Sequence, residues 1–198
     1  LINMIYLDNS ASTQIREEVL SVISDELKHS FANPSSPYKP ARQSRLSIDN
    51  SRKIFAEILN CSENEIIFTS GGTESDNTAI KGPAYALKNI GNHIITTATE
   101  HHAVLHTCNN LEKQGFDITY LPTDKYGMVS REDVISAIRE NTILVSVIYA
   151  NNELGSINPI QEIGEAIKKY KGKNSQFPLF HTDAVQAATY LDLNVDKL

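Results

Sequence analysis

After Ser62, short apolar segments patterned as strands alternate with segments patterned as helices. We expect strands at 65–69, 93–98, 117–121, 142–149 and 178–182, and helices at 73–89, 102–114, 130–140 and 159–171. Strand–helix repetition favours parallel pairing, because each crossover helix covers a face of the sheet. Strands that are apolar throughout are typical of a sheet covered on both faces. The predicted fold class is therefore α/β, an open and mostly parallel sheet with helices on both faces.

The region before Ser62 is patterned differently, with two long amphipathic segments. We predict helices from Ile15 to Phe31 and from Ala41 to Asn60. Asn33–Pro37 separates them with two prolines, and such a loop is either a surface linker or a cover for an active site, with the linker slightly favoured. We divide the chain into an N-terminal arm over 1–14 and a domain over 15–198.

Composition narrows the functional classes. A length of 198 residues fits one domain or a fragment of a larger one, and a net charge of −6 argues against a nucleic-acid partner. The longest apolar stretch, Thr142–Ala150, is too short to span a bilayer, and no signal peptide is visible, so no membrane partner is expected. Two cysteines, Cys61 and Cys108, suit a reducing cytoplasm better than a disulfide framework.

The stretch Thr69–Asn77 contains a candidate anion site. Gly71 and Gly72 allow a sharp turn and a close approach of the backbone to a ligand, and Thr73 adds a hydroxyl. The unpaired N–H groups at the start of the following helix favour a phosphate. The simpler alternative is that Ser70 or Thr73 only caps that helix. The stretch alone does not distinguish a phosphate site from a simple helix cap.

Polar side chains follow four of the five predicted strands, whereas the strand bodies are apolar. The four segments are Gly71-Gly72-Thr73, Thr99-Glu100-His101-His102, Asn151-Asn152-Glu153 and His181-Thr182-Asp183-Ala184-Val185-Gln186. Open α/β sheets bind ligands beyond the carboxyl ends of their strands. Convergence of four such segments on one rim favours a binding site there.

Two histidines four residues apart, His102 and His106, raise the question of a metal site. Alanine replaces the glutamate expected between such ligands, and no third ligand is obvious, so solvated or core histidines are favoured and no metal is predicted. His101 differs because it lies at the junction of strand and helix.

Asp183 is the most informative residue of the rim, because it ends a strand where an isolated carboxylate is costly to bury. It either caps the next helix or pairs with a cationic ligand. A protonated aromatic nitrogen at Asp183, a phosphate at Gly72 and Thr73, and a flat ring stacked on His101 together resemble pyridoxal 5'-phosphate.

Six segments of the chain resemble successive motifs of the cysteine desulfurases. These enzymes use pyridoxal phosphate and belong to the class V aminotransferase group, with the aspartate-aminotransferase type of fold. The segments are Tyr6–Thr13, Asn33–Ser36, Phe68–Asn77, Thr99–Val104, Asn151–Gly155 and His181–Gln186. The resemblance implies that 15–198 is an incomplete large domain that binds this cofactor.

The resemblance also implies roles for individual residues. Gly72 and Thr73 would hold the phosphate, and His101 would stack on the ring and assist proton transfer. Asp183 would pair with the ring nitrogen. Asn152 would lie near the ring's oxygen side. The phenolic oxygen would accept a hydrogen bond from Gln186.

The activity implied is conversion of L-cysteine to L-alanine, with the sulfur held as an enzyme persulfide and passed to an acceptor or scaffold protein for iron–sulfur cluster or thio-cofactor assembly. Family members are typically homodimers. Three alternatives stay open: a selenocysteine lyase, another carbon–sulfur lyase, and a non-catalytic truncated chain that pairs with another subunit.

Two family features are not found in this sequence. The lysine that binds the cofactor lies in a Ser-x-His-Lys motif after the position of Leu198, and the sulfur-accepting cysteine also belongs to that later half. Cys61 and Cys108 are predicted to be packed, unreactive thiols. We therefore expect this segment alone to be inactive.

Overall fold

The computed structural model describes residues 5–171 and 176–198. The chain divides into two compact units, Leu1–Ile67 and Phe68–Leu198. The predicted arm over 1–14 begins with four residues outside the described ranges, and its boundary stays a prediction. No helix in the described ranges is both long enough and apolar enough to cross a membrane.

The first unit contains the two helices expected from its amphipathic segments. Helix α1 spans Glu17–His29 and helix α2 spans Lys39–Leu59. Tyr38 precedes α2 in an extended conformation, and a proline occupies its first turn, where no intrahelical N–H bond is lost. A single 3₁₀ turn follows at Glu63–Glu65, closed by a capping box between Ser62 and Glu65.

The second unit is built on a four-stranded parallel sheet. Its strands are β1 (His93–Thr97), β2 (Asp117–Leu121), β3 (Thr142–Ser146) and β4 (Leu179–His181), in the spatial order β2-β1-β3-β4. All three strand pairings are parallel, so the four carboxyl ends lie at one edge of the sheet. The predicted parallel sheet is confirmed, and each of these strands falls within its predicted range.

Four helices of the described residues accompany these strands. They are α3 (Gly72–Ala86), α4 (His102–Glu112), α5 (Arg131–Ala137) and α6 (Ile160–Lys171).

Neighbouring residues of β1 bury their side chains in two different clusters, because successive side chains of a strand point to opposite faces. Ile94 packs with Ile80 of α3 and Leu111 of α4. Ile95 packs on the other face, in the cluster that contains Val134 and Ile163. Helices on both faces are thereby confirmed.

The strand predicted at 65–69 is wrong. The residues after the 3₁₀ turn are extended but have no strand pairing, and the sheet of the described residues ends at β2 and β4. Ile67 and Phe68 remain 76% and 47% exposed. A β-branched apolar run indicates a strand tendency, but a strand also needs a neighbour to supply ladder hydrogen bonds. The glycine turn therefore follows an unpaired extended segment.

The amino end of the sheet contains a buried histidine whose polar atoms are all bonded. His93 begins β1 and is fully buried. Its Nδ1 lies 2.7 Å from the hydroxyl of Thr142 on β3, and its Nε2 lies 2.8 Å from the hydroxyl of Thr119 on β2. Burial lowers the pKa of His93, so the ring is neutral and joins three strands through hydrogen bonds.

Candidate functional site

The start of α3 brings a run of backbone N–H groups to the carboxyl end of the sheet. Gly71 precedes the helix with φ 155° and ψ 179°, a conformation essentially restricted to glycine. Glu74 fixes the turn, because its carboxylate accepts a hydrogen bond from the backbone N–H of Ser70 at 2.7 Å. That bond lowers the pKa of Glu74. At Gly72, a Cβ atom would lie 2.8 Å from Cγ2 of Val185, so a side chain there requires a shift.

His101 caps the start of α4. Its Nδ1 accepts a hydrogen bond from the backbone N–H of Ala103 at 3.1 Å. An accepting Nδ1 carries no hydrogen, which leaves the hydrogen of a neutral ring on Nε2. The ring is exposed, so its face and its Nε2–H are accessible to a ligand.

Glu100 holds the turn that carries His101. It is 5% exposed, and its Oε1 accepts hydrogen bonds from the Thr97 hydroxyl and the Ile148 backbone N–H, both at 2.8 Å. Its Oε2 is buried without a hydrogen-bond partner. Burial raises the pKa of Glu100 to about 8, so the side chain is mostly protonated at neutral pH.

Backbone pairing that continues beyond β3 and β4 positions Asp183. The N–H of Val147 donates to the His181 carbonyl at 3.1 Å, and the N–H of Tyr149 donates to the Asp183 carbonyl at 2.9 Å. The side chain of Asp183 accepts a hydrogen bond from the Val185 N–H at 3.0 Å and is 7% exposed. A buried carboxylate with this arrangement favours a nearby cation.

Two further titratable groups lie beside Asp183. Asp76, on α3, is 3% exposed, and its carboxylate lies 3.7 Å from Nε2 of His181. One ligating atom of each of Asp76, His101 and Asp183 lies within 4.8 Å of the others. Burial, and then the charge of Asp183, raise the pKa of Asp76 to about 7. Burial lowers the pKa of His181 to about 4, so that ring is neutral. We call the group Asp76, Glu100, His101, His181 and Asp183 the polar rim.

Two clefts adjoin at His101. One, of about 450 Å³, is lined by Thr73, His101 and Lys81 among others. The other, of about 240 Å³, is lined by His101 and Asn152 among others. The loop of Asn152 is tied to the turn of His101, because the side-chain amide of Asn151 donates to the Thr99 carbonyl at 2.8 Å.

The structure thus brings most of the predicted site residues to one edge of the sheet. Thr73 and Asn152 each share a cleft with His101, which lies close to Asp183. Gln186 is exposed directly after Val185, the residue that packs on Gly72. The roles assigned to these residues stay predictions.

The histidine pair considered as metal ligands does not form a metal site with other side chains of the described residues. His102 and His106 are exposed, with ring centroids 5.3 Å apart. The one candidate set of three ligands in those residues is Asp76, His101 and Asp183. Cys108 is fully buried, which confirms a packed thiol, and burial raises its pKa to about 12. Cys61 is only partly buried, and the low reactivity of both thiols stays a prediction.

The sequence alone assigns no role to Asp76 or His181, although both lie in the family motifs. Asp76, Ile80 and Ala84 are the buried residues of α3. Their spacing of four places an acid on the apolar face of a helix, and a carboxyl group in that position rarely lacks a function or a partner. That spacing was the available signal for Asp76.

The polar rim and the start of α3 suit a small ligand that carries both a negative and a positive charge. Free N–H groups at the start of α3 suit an anion. The buried carboxylate of Asp183 suits a cation, and the exposed ring of His101 offers a surface for stacking a flat group between them. An aromatic cation with a phosphate substituent fits all three features.

Comparison with known proteins agrees with this chemistry. Residues 5–198 match the family model described as aminotransferase class-V. The cysteine desulfurase IscS of Methanosarcina thermophila is 53% identical over 194 residues, which are 98% of this chain and 46% of that protein. A structure of SspA in complex with cysteine is 40% identical, with a TM-score of 0.88 over 95% of this chain and 52% of that one. The structure of a NifS-like protein is 35% identical, with a TM-score of 0.88 over 96% of this chain and 51% of that one.

The chain spans about half the length of each of these relatives. Similarity extends over nearly all of this chain and covers both the sheet and the polar rim.

Proposed function

Because the chain belongs to the class-V aminotransferase family, we propose that the complete protein containing it is a pyridoxal-phosphate-dependent cysteine desulfurase. The observation that carries the proposal is the buried carboxylate of Asp183, close to His101 at the carboxyl end of a parallel sheet. The relative from Methanosarcina thermophila is named a cysteine desulfurase, and a structural relative was solved with cysteine.

Pyridoxal phosphate is the cofactor of this family, and the residues present fit it. The close approach of Gly72 to Val185 and the free N–H groups at the start of α3 suit its phosphate. The buried carboxylate of Asp183 suits its protonated ring nitrogen. In the proposal, Gly72 and Thr73 hold the phosphate and His101 stacks on the ring.

Two amide side chains complete the proposed cofactor site. Asn152, which lines the second cleft with His101, would lie near the oxygen side of the ring. Gln186 would donate to the phenolic oxygen, and its exposure leaves the amide free to turn toward the ring.

When bound, the cofactor supplies an electron sink for bond cleavage next to the substrate's α-carbon. Asp183 maintains that property, since its negative charge favours a protonated ring nitrogen. His101 lines both clefts, and the hydrogen on its Nε2 can be exchanged with the substrate. Glu100 keeps His101 in place through its bonds to Thr97 and Ile148.

The proposed reaction converts L-cysteine to L-alanine and transfers the sulfur as a protein-bound persulfide. The test is to express the complete reading frame that contains this chain and to measure alanine and sulfide from L-cysteine with a reductant. We expect activity that depends on added cofactor. Alanine from L-selenocysteine but not from L-cysteine would replace the proposal by a selenocysteine lyase.

We further propose a sulfur acceptor or scaffold protein, a role in iron–sulfur cluster or thio-cofactor assembly, a homodimer and a cytoplasmic location. Two free cysteines support a reducing compartment. Apolar side chains of α1, including Val22 at 62% and Leu27 at 77% exposure, support a partner surface. Sedimentation of the complete protein tests the dimer.

A further inference from the structure

Asp76 is a second buried carboxyl group beside the one assigned to the ring nitrogen. Its side chain is 3% exposed and reaches the rim from α3, whereas Asp183 reaches it from the segment after β4. A carboxyl oxygen of each lies within 4.8 Å of the other and of a nitrogen of His101. Two carboxylates at this separation strongly disfavour simultaneous ionisation unless a cation lies nearby.

Among the described residues near Asp76, His181 and Glu100 supply no positive charge at neutral pH. His181 faces it from β4 at 3.7 Å, and its other ring nitrogen, Nδ1, lies 2.9 Å from the Ser146 hydroxyl. Burial lowers the pKa of His181 to about 4, which keeps the ring neutral. Glu100, before α4, is a further acid whose pKa is raised to about 8, mainly by burial and in smaller part by the charges of Asp183 and Asp76.

A cation bound in the polar rim would change the protonation of Asp76. Without one, burial and Asp183 keep a proton on Asp76 up to about pH 7. A cation between the two carboxyl groups lowers the cost of ionising both. By linkage, an ionised Asp76 in turn strengthens binding of that cation.

We propose that Asp76 is a second carboxyl group of the cation site beside Asp183, and that its charge state controls how strongly the rim binds a protonated aromatic nitrogen. The inference rests on the proposed function. Below about pH 7, Asp76 carries a proton and adds no charge to the rim. Above that pH, its negative charge adds to the attraction for the ring nitrogen, and the binding is tighter.

The test uses the complete protein and pyridoxamine 5'-phosphate. This probe has the phosphate and the ring nitrogen of the cofactor but no aldehyde, so covalent attachment to a lysine does not contribute. Affinity is measured by calorimetry at pH 5.5 and pH 8.5 for the wild type, for Asp76→Asn and for Glu112→Gln. Glu112→Gln is the matched control, because it makes the same acid-to-amide change at an exposed position of α4.

We expect Asp76→Asn to bind the probe as the wild type does at pH 5.5, where both side chains are neutral, and about tenfold more weakly at pH 8.5. Equal affinity and equal melting temperature at pH 5.5 show that the variant is folded. Asp76→Ser is the second variant, and the same pH-dependent difference is expected for it.

Other results overturn the inference. A wild-type to variant affinity ratio that does not change with pH assigns Asp76 a structural role only. Tighter binding by Asp76→Asn at pH 8.5 means that Asp76 acts by repelling the phosphate. In both cases the proposed function stands. No binding of the probe by the wild type at either pH contradicts the inference and the proposed function together.

Discussion

The two ends of the parallel sheet bury polar groups in different ways. At the amino end, His93 has both ring nitrogens bonded to threonine hydroxyls of the neighbouring strands. At the carboxyl end, the polar rim collects three buried acids, and one oxygen of Glu100 has no hydrogen-bond partner. A buried group that is fully bonded stabilises the fold, whereas an excess of buried acid favours the binding of a cation.

The largest expected effect is a loss of activity on removal of the Asp183 carboxylate at the carboxyl end of the sheet. Asp183→Asn should lower desulfurase activity of the complete protein about a hundredfold or more, because a neutral amide does not keep the ring nitrogen protonated. Alanine formation from L-cysteine at saturating cofactor is the measurement.

The control for Asp183→Asn makes the same change at the other end of the sheet. Asp117 begins β2 and pairs with Arg139, and both side chains are about half exposed. Asp117→Asn should leave activity nearly unchanged. Equal losses in the two variants would remove the distinction between the two ends.

At the amino end, substitution should lower stability and leave binding intact. His93→Phe leaves the hydroxyls of Thr119 and Thr142 without their ring partner, and we expect the free energy of unfolding to fall by about 2 kcal/mol. Denaturant unfolding measures this change, and calorimetry measures cofactor affinity in the same variant. A loss of affinity without a loss of stability would contradict the structural role of His93.

Two glycines of α3 test the phosphate end of the rim. Gly72→Ala places a methyl group against Val185 and should weaken binding of pyridoxamine 5'-phosphate about tenfold, since the turn must shift. Gly82→Ala is the matched control: its methyl group meets no atom within 4 Å beyond its chain neighbours and its own helix, so affinity should not change. No gain in stability is expected, because Pro83 follows and disfavours a helical residue with a side chain at this position. Similar affinities in both variants would place the phosphate elsewhere.

The smallest expected effect is a pH dependence of stability in the cofactor-free protein. The pKa of Glu100 is raised from its ordinary value to about 8, so its contribution is complete below about pH 4.5 and is lost as the pH rises to 8. His181 acts in the opposite direction, because its lowered pKa costs stability as the pH falls from 6.5 to 4.

Glu100→Gln separates these two contributions. The amide oxygen still accepts from Thr97 and Ile148 but does not titrate. Relative to the wild type, the variant should gain about 1 kcal/mol of unfolding free energy between pH 5 and pH 6, measured by denaturant titration. A constant difference between the two proteins would show that Glu100 is already ionised in the fold.

The sequence predicts the strands of the sheet and the helices that cover it well, because the spacing of apolar residues and the length of a segment distinguish a strand from a helix. The segments 93–98 and 117–121 form strands, and α4 and α6 follow the predicted ranges closely. The segment 65–69 has the same apolar pattern and forms no strand. Local pattern shows a preference, whereas strand formation also depends on a partner that the segment itself does not specify.

The site was predicted in part. His101 and Asp183 stand out because a polar residue at the end of an apolar strand breaks the local pattern. Asp76 and His181 lie inside elements, where their distance of 3.7 Å depends on how α3 and β4 meet. That distance is a tertiary property, and no spacing along the chain encodes it.

A crystal structure of the complete protein with pyridoxal 5'-phosphate tests the proposed cofactor site. We predict the phosphate on the backbone N–H groups of Gly72 and Thr73, the ring against His101, and the ring nitrogen within hydrogen-bonding distance of Asp183. A cofactor bound with its ring nitrogen remote from Asp183, or a phosphate remote from the start of α3, would contradict the account.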